Sequence, residues 1–176
     1  MSKAVLMSIR ANWVSKILTG EKTIEVRKFE PTLKRPFKCY LYESKMCGGR
    51  GKVVAEFVCR NIDLYTSGVI ACAYYETNGS YVEPKRRYNQ GTGLSYEAMF
   101  NYSNGDHLYG WHISNLKIYD RPKDLSEFRK PCSYHNETCQ SLCKKVDCDY
   151  YKAFVSKGND KITRPPQSWY YVEELE

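Results

Sequence analysis

The stretch Gly20-Glu21-Lys22-Thr23-Ile24-Glu25-Val26-Arg27-Lys28 changes its periodicity at the glycine. Upstream, Trp13, Val14, Ile17 and Leu18 recur at helical spacing while Ser15, Lys16 and Thr19 stay polar, and Gly20 stands where a left-handed C-terminal cap is wanted. A short amphipathic helix is therefore expected to end at Gly20. Downstream the pattern has period two, with Ile24 and Val26 on one face of a strand and Thr23, Glu25 and Arg27 on the other. Residues two apart on a strand project the same way about 7 Å apart, so Glu25 and Arg27 are neighbours, with Lys22 and Lys28 at the strand's ends. That polar face suits a solvated exterior. It equally suits a cleft wall in which a carboxylate orients a guanidinium and a lysine offers a point charge to an anion.

The same residues carry a family resemblance. The stretch resembles the GxKxxExR signature of the ASCH domain, a branch of the PUA-like superfamily. Ser8-Ile9-Arg10 with Trp13, Tyr109-Gly110-Trp111-His112-Ile113-Ser114, and Pro165-Pro166-Gln167-Ser168-Trp169 look like a subgroup of bacterial and prophage-encoded ASCH proteins. The likeness covers about residues 3–65 and 94–128 plus the last dozen, and leaves inserts at about 66–93 and 129–165 unmatched. It implies one ASCH domain over residues 1–176. The implied fold class is α+β, mainly β: a PUA-like small β-barrel with short peripheral helices and a cysteine-rich insert. The superfamily mostly handles RNA or modified nucleobases, so the implied partner is RNA, a nucleotide or a modified nucleoside. No organic cofactor is expected.

Charge distribution points the same way. The 176 residues carry a net charge of +7, yet residues 1–60 hold 13 Lys and Arg against 5 Asp and Glu, and residues 61–176 hold 14 against 15. All of the excess lies in the part containing the signature strand. Such a basic half attracts phosphates or anionic surfaces, or only keeps the protein soluble. No apolar run approaches the length of a membrane span and the amino terminus lacks a signal-peptide core, which suggests a cytoplasmic protein without a membrane partner.

Along the chain, Ala4 to Ile9 reads as a first strand, with Arg10 just beyond it. Trp13 on the helix either caps a pocket or fills core. Phe37 to Tyr42 begins a third strand, Gly48-Gly49-Arg50-Gly51 supplies a turn, and Val53 to Cys59 continues as the partner strand. Residues 66–93 read as a long loop or irregular hairpin, because four glycines surround Tyr74-Tyr75 and the basic run Pro84-Lys85-Arg86-Arg87-Tyr88. Aromatic residues beside Arg86 and Arg87 suit the stacking of unpaired bases, and a plain solvated loop fits as well. Leu94 to Phe100 looks helical with Ser95 as N-cap. His107 to Tyr119 reads as a strand with a bulge near Ser114-Asn115, Asp124 to Phe128 as a short helix, and Ser168 to Val172 as a closing strand.

Cys132-x-x-His135-x3-Cys139-x3-Cys143-x4-Cys148 gathers four thiols and one imidazole within 17 residues. Tetrahedral zinc needs four such ligands, and a segment with little apolar content needs an outside source of order. Structural zinc held by Cys132, Cys139, Cys143 and Cys148, with His135 as a substitute for one of them, is the expectation. Disulfides and an unligated loop are the rival readings. The dispersed Cys39 and Cys59 read as core fillers.

Two functions fit. One is a nucleic-acid binding module whose basic cleft, beside the signature strand, uses Arg10, Trp13, Lys22, Thr23, Glu25, Arg27 and Lys28, with Arg86, Arg87, Trp111 and His112 extending it. The other is a hydrolase on RNA or modified nucleosides. In ASCH proteins resembling acetylcytidine amidohydrolase, a lysine matching Lys22 activates a threonine three residues on, and a later glutamate assists. Glu25 stands here where that threonine would lie, Thr23 points to the opposite face from Lys22, and Glu97 is the one later acid to nominate. Lys22, Glu25 and Glu97 are therefore the catalytic candidates, with Tyr96 and His112 as further groups for ribonuclease chemistry.

Overall fold

The computed structural model describes residues 2–79, 89–132 and 148–175. Six strands form one mixed sheet in the order β2-β5-β4-β3-β1-β6. They are β1 (Lys3–Ile9), β2 (Ile24–Arg27), β3 (Phe37–Glu43), β4 (Lys52–Tyr65), β5 (Leu108–Lys123) and β6 (Trp169–Glu173). Among the described residues four helices accompany them: α1 (Ala11–Leu18), α2 (Ser67–Gly79), α3 (Tyr96–Ser103) and α4 (Asp149–Ser156). β1 pairs in parallel with β3 and antiparallel with β6. With a neighbour on each side, β1 is buried on both faces from Ala4 to Met7, which is why its sequence is a continuous apolar run and not an alternation.

The sheet is not closed into a barrel. β2 and β6 stand at its two ends with no pairing between them among the described residues. Strand alternation fixes which residues share a face but carries no information on whether the first and last strands meet, so the expectation of closure is corrected to an open sheet.

The chain divides into two compact units. The first comprises Met1–Arg10, Lys38–Glu56 and Ile118–Glu176. Its core packs Ala4, Leu6, Tyr40, Tyr42, Val53, Phe128, Ile162 and Val172, with the Tyr40 and Phe128 rings meeting edge to face at 4.9 Å. The second comprises Ala11–Phe37 and Phe57–Lys117. Its core gathers Val26, Tyr65, Ile70, Met99 and Leu108 beneath α2 and α3, whose Tyr74 and Phe100 rings stack at 4.5 Å.

The local signals in the sequence have direct counterparts in the structure. α1 stops before Gly20, whose φ is +80°, and Ser95 caps α3 by accepting from the Ala98 N–H at 3.1 Å. Asp124 and Glu127 form a reciprocal capping box on a short 3-10 turn, Leu125–Glu127. Asn115, where a bulge in β5 is expected, takes a left-handed φ of +50° within the continuous strand.

The expected loop over 66–93 is corrected in its first half, where α2 spans Ser67–Gly79. Gly68 lies in the first turn and Gly79 at the end, so these glycines bracket the helix and do not break it. Among the described residues no helix is long and apolar enough to cross a membrane.

Candidate nucleic-acid interface

The signature strand is the short edge strand β2, and its register against β5 sorts the site residues by face. Glu25 lies opposite Trp111 and Arg27 opposite Tyr109, while Ile24 lies opposite His112 and Val26 opposite Gly110. Paired residues share a face, so Glu25, Arg27, Tyr109 and Trp111 stand on one side of the sheet and His112 on the other. Val26 anchors that other side in the core, and Gly110 is required there because a Cβ would come within 2.6 Å of the Tyr65 hydroxyl.

Lys22, Glu25 and Arg27 converge. The Glu25 carboxylate takes Arg27 Nη2 on one oxygen at 3.0 Å and Lys22 Nζ on the other at 3.4 Å. All three residues are buried, at 3%, 7% and 7% exposure. Lys22 Nζ also donates to the Ile24 carbonyl at 2.7 Å and to the Thr92 carbonyl. Burial lowers the Lys22 pKa, and the Glu25 charge and hydrogen bond oppose the shift without cancelling it.

Two partly exposed rings flank this buried group. Trp13 of α1 lies at the Lys22 end, with Lys22 Nζ 5.3 Å and Lys16 Nζ 5.6 Å from the ring centre. Tyr102 of α3 lies at the Arg27 end and is 40% exposed, with Lys28 Nζ 5.4 Å from its ring. Burial raises the Tyr102 pKa, and Arg27 and Glu25 are near enough to act on its hydroxyl in opposite senses. The arrangement therefore offers aromatic faces edged by cations around a guanidinium–carboxylate pair.

No family model matches this chain, and no curated protein matches it. Solved structures do. The chain is similar to the crystal structure of the ASCH protein from Zymomonas mobilis, with a TM-score of 0.57 and 14% identity over 97% of this chain and 88% of that one. A mutant form of the same protein aligns with a TM-score of 0.58 and 14% identity over 98% and 92% of the two chains. The fold is that of an ASCH domain.

On this ASCH fold the residues singled out from the sequence are not all gathered together. Lys22, Glu25, Arg27, Trp13 and Lys28 form one group. Thr23 is exposed, its backbone N–H bonded to the Gly91 carbonyl at 2.8 Å. Trp111 is fully buried and packs edge to face on Phe37 at 5.7 Å. His112, on the other face, pairs its Nε2 with Asp63 at 2.7 Å. Arg10 is exposed at the end of the other unit, and Glu97 is exposed on α3.

Arg86, Arg87, His135, Cys139 and Cys143 lie outside the described residues. Cys132 and Cys148 are half-buried, and among the described residues no cluster of metal-ligating side chains occurs. Cys39 and Cys59 are buried, and burial pushes the Cys59 thiol up to about 11, which suits core packing. Sequence reasoning missed Tyr102, Lys16 and the Gly91-Thr92-Gly93 turn. For Tyr102 the available signal was one further half-turn of α3 beyond Phe100.

Proposed function

We propose that this protein binds unpaired RNA or a nucleotide beside β2, with bases stacked on both Trp13 and Tyr102 and phosphates taken by Lys16 and Lys28. The observation that carries the reading is the pair of partly exposed rings, each within 6 Å of a lysine ammonium, on either end of the buried Glu25–Arg27 pair. Base–aromatic stacking contributes about 1–3 kcal/mol per base and tolerates any sequence, and lysines at the ring edges follow the backbone. Arg27, Thr23 and the backbone around Gly91 supply hydrogen-bonding groups for a base edge, and Arg86 and Arg87 extend the contact. The likeness of the fold to ASCH structures supports the reading, in keeping with the RNA or nucleotide partner that the sequence resemblance implies.

The test is binding of a short fluorescent RNA across a salt series. The reading expects log K to fall with log[salt] by roughly 0.7 for each phosphate contacted. A flat salt response, or equal affinity for duplex and single strand, contradicts it. Incubation of the same protein with short RNAs and acetylated nucleosides, followed by mass spectrometry, distinguishes a reader from a hydrolase: intact ligands support the reader, and turnover that is lost in Glu25→Gln supports the hydrolase.

The cysteine cluster is proposed to hold one structural zinc through Cys132, Cys139, Cys143 and Cys148, with His135 as a substitute ligand. Protein purified under reducing conditions is expected to carry about one equivalent of zinc. Less than half an equivalent, with all eight cysteines titrating as thiols, contradicts it.

A further inference from the structure

A lysine ammonium has three hydrogens to donate. In Lys22 each has an oxygen of the protein's own chain: the Ile24 carbonyl at 2.7 Å, the Thr92 carbonyl, and Glu25 Oε2 at 3.4 Å. The residue is 3% exposed. A ligand phosphate would reach this ammonium only by displacing a buried acceptor, which would then be left without a partner.

The Thr92 carbonyl belongs to a turn that is closed on itself. Thr92 Oγ1 donates to the Asn89 carbonyl at 2.6 Å and accepts from the Leu94 N–H at 3.1 Å, and Asn89 Nδ2 donates to the Leu94 carbonyl at 3.0 Å. The turn is seated on the signature strand, because the Thr23 and Ile24 N–H groups both donate to the Gly91 carbonyl, at 2.8 and 2.9 Å. Two glycines permit the close fit. A Cβ on Gly91, at φ +78°, would lie 2.5 Å from Thr23 Oγ1, and one on Gly93, at φ +71°, would lie 3.2 Å from Trp13 Cζ3. The turn therefore touches β2 through one glycine and the indole ring through the other, with Lys22 between them.

From this we infer that Lys22 is a positioning residue: its ammonium latches the 89–94 turn onto the start of β2 and so sets where the Trp13 ring and the chain following Arg86 and Arg87 are held. The latch is a property of the free protein. Its consequence for binding rests on the nucleotide-binding reading, and assigns phosphate contact to Lys16 and Lys28 and none to Lys22.

The experiment compares Lys22→Met with Lys16→Ala and Lys28→Ala in two measurements. Amide hydrogen exchange of the free protein is expected to quicken at least tenfold at Thr23, Ile24 and Leu94 in Lys22→Met and to stay at the parent rate in Lys16→Ala. Binding of a labelled uridine dodecamer is expected to weaken about tenfold in Lys22→Met with the slope of log K against log[salt] unchanged. The slope becomes shallower by roughly 0.7 in each of the other two variants. Parent-like exchange in Lys22→Met together with a slope made shallower by roughly 0.7 would overturn the latch and make Lys22 a phosphate contact.

If the parent binds no RNA, the binding reading fails while exchange alone still decides the latch. Should Lys22→Met not fold, Lys22→Gln, which keeps two N–H donors without the charge, carries the exchange test. Faster exchange confined to residues 22–24 and 89–94 supports the latch, and parent rates overturn it.

Discussion

The two units each contain a lysine held between carboxylate and aromatic groups, and the two lysines behave oppositely. In the unit that carries β2, Lys22 shares Glu25 with Arg27, and the side chains of the three are 3–9% exposed. In the other unit, Lys38 pairs with Glu174 at 3.0 Å and lies 4.0 Å from Glu56, which accepts from the Tyr119 hydroxyl at 2.6 Å. Those side chains are 18–30% exposed. Burial works against the charge of both lysines. It prevails at Lys22, whose pKa falls, and at Lys38 it yields to the Glu174 hydrogen bond and the surrounding negative charge, so that pKa rises. Depth of burial, more than the identity of the partners, separates a charged group set into the protein from a clasp on its surface.

The largest expected effect breaks the deeper cluster. Glu25→Ala strands two buried cations and is expected to cost roughly 3–5 kcal/mol in urea unfolding. Glu174→Ala, in the exposed clasp, is expected to cost about 1 kcal/mol or less. Equal losses would erase the distinction between the two regions.

A subtler effect is the response to alkaline pH. Lys22 has a folded pKa below 10.5, so its ionisation penalises folding at neutral pH and the penalty disappears as pH rises towards and through 10.5. Lys38 has a folded pKa above 10.5, so its contribution is complete below 10.5 and is lost as pH rises through the folded value. Stability measured from pH 8 to 11 is thus expected to rise for the parent relative to Lys22→Met and to fall relative to Lys38→Met. Parallel curves would contradict the assignment of opposite shifts.

Legibility in the sequence followed the range of the interactions. The stop at Gly20, the cap at Ser95 and the pairing of Glu25 with Arg27 depend on residues a few positions apart, and each was readable. The Lys22–Thr92 contact joins residues 70 positions apart in sequence, and nothing in either neighbourhood announces it. His112 alternates with Trp111, so one of them had to leave the Glu25 face, and only the β2–β5 register shows that it is His112. α2 is hard to see in the sequence because glycines that mark its ends look like breaks. Closure of the sheet depends on whether β2 and β6 meet, which no single strand's pattern encodes.

The central claim is that the two partly exposed rings of the β2 unit hold the ligand's bases. The most direct test is the affinity of a short unpaired RNA for the parent and for the double variant Trp13→Ala, Tyr102→Ala at one fixed salt concentration. Loss of two stacking contacts, at about 1–3 kcal/mol each, predicts an affinity at least 30-fold weaker with the folded state retained. A double variant that binds as tightly as the parent would contradict the account.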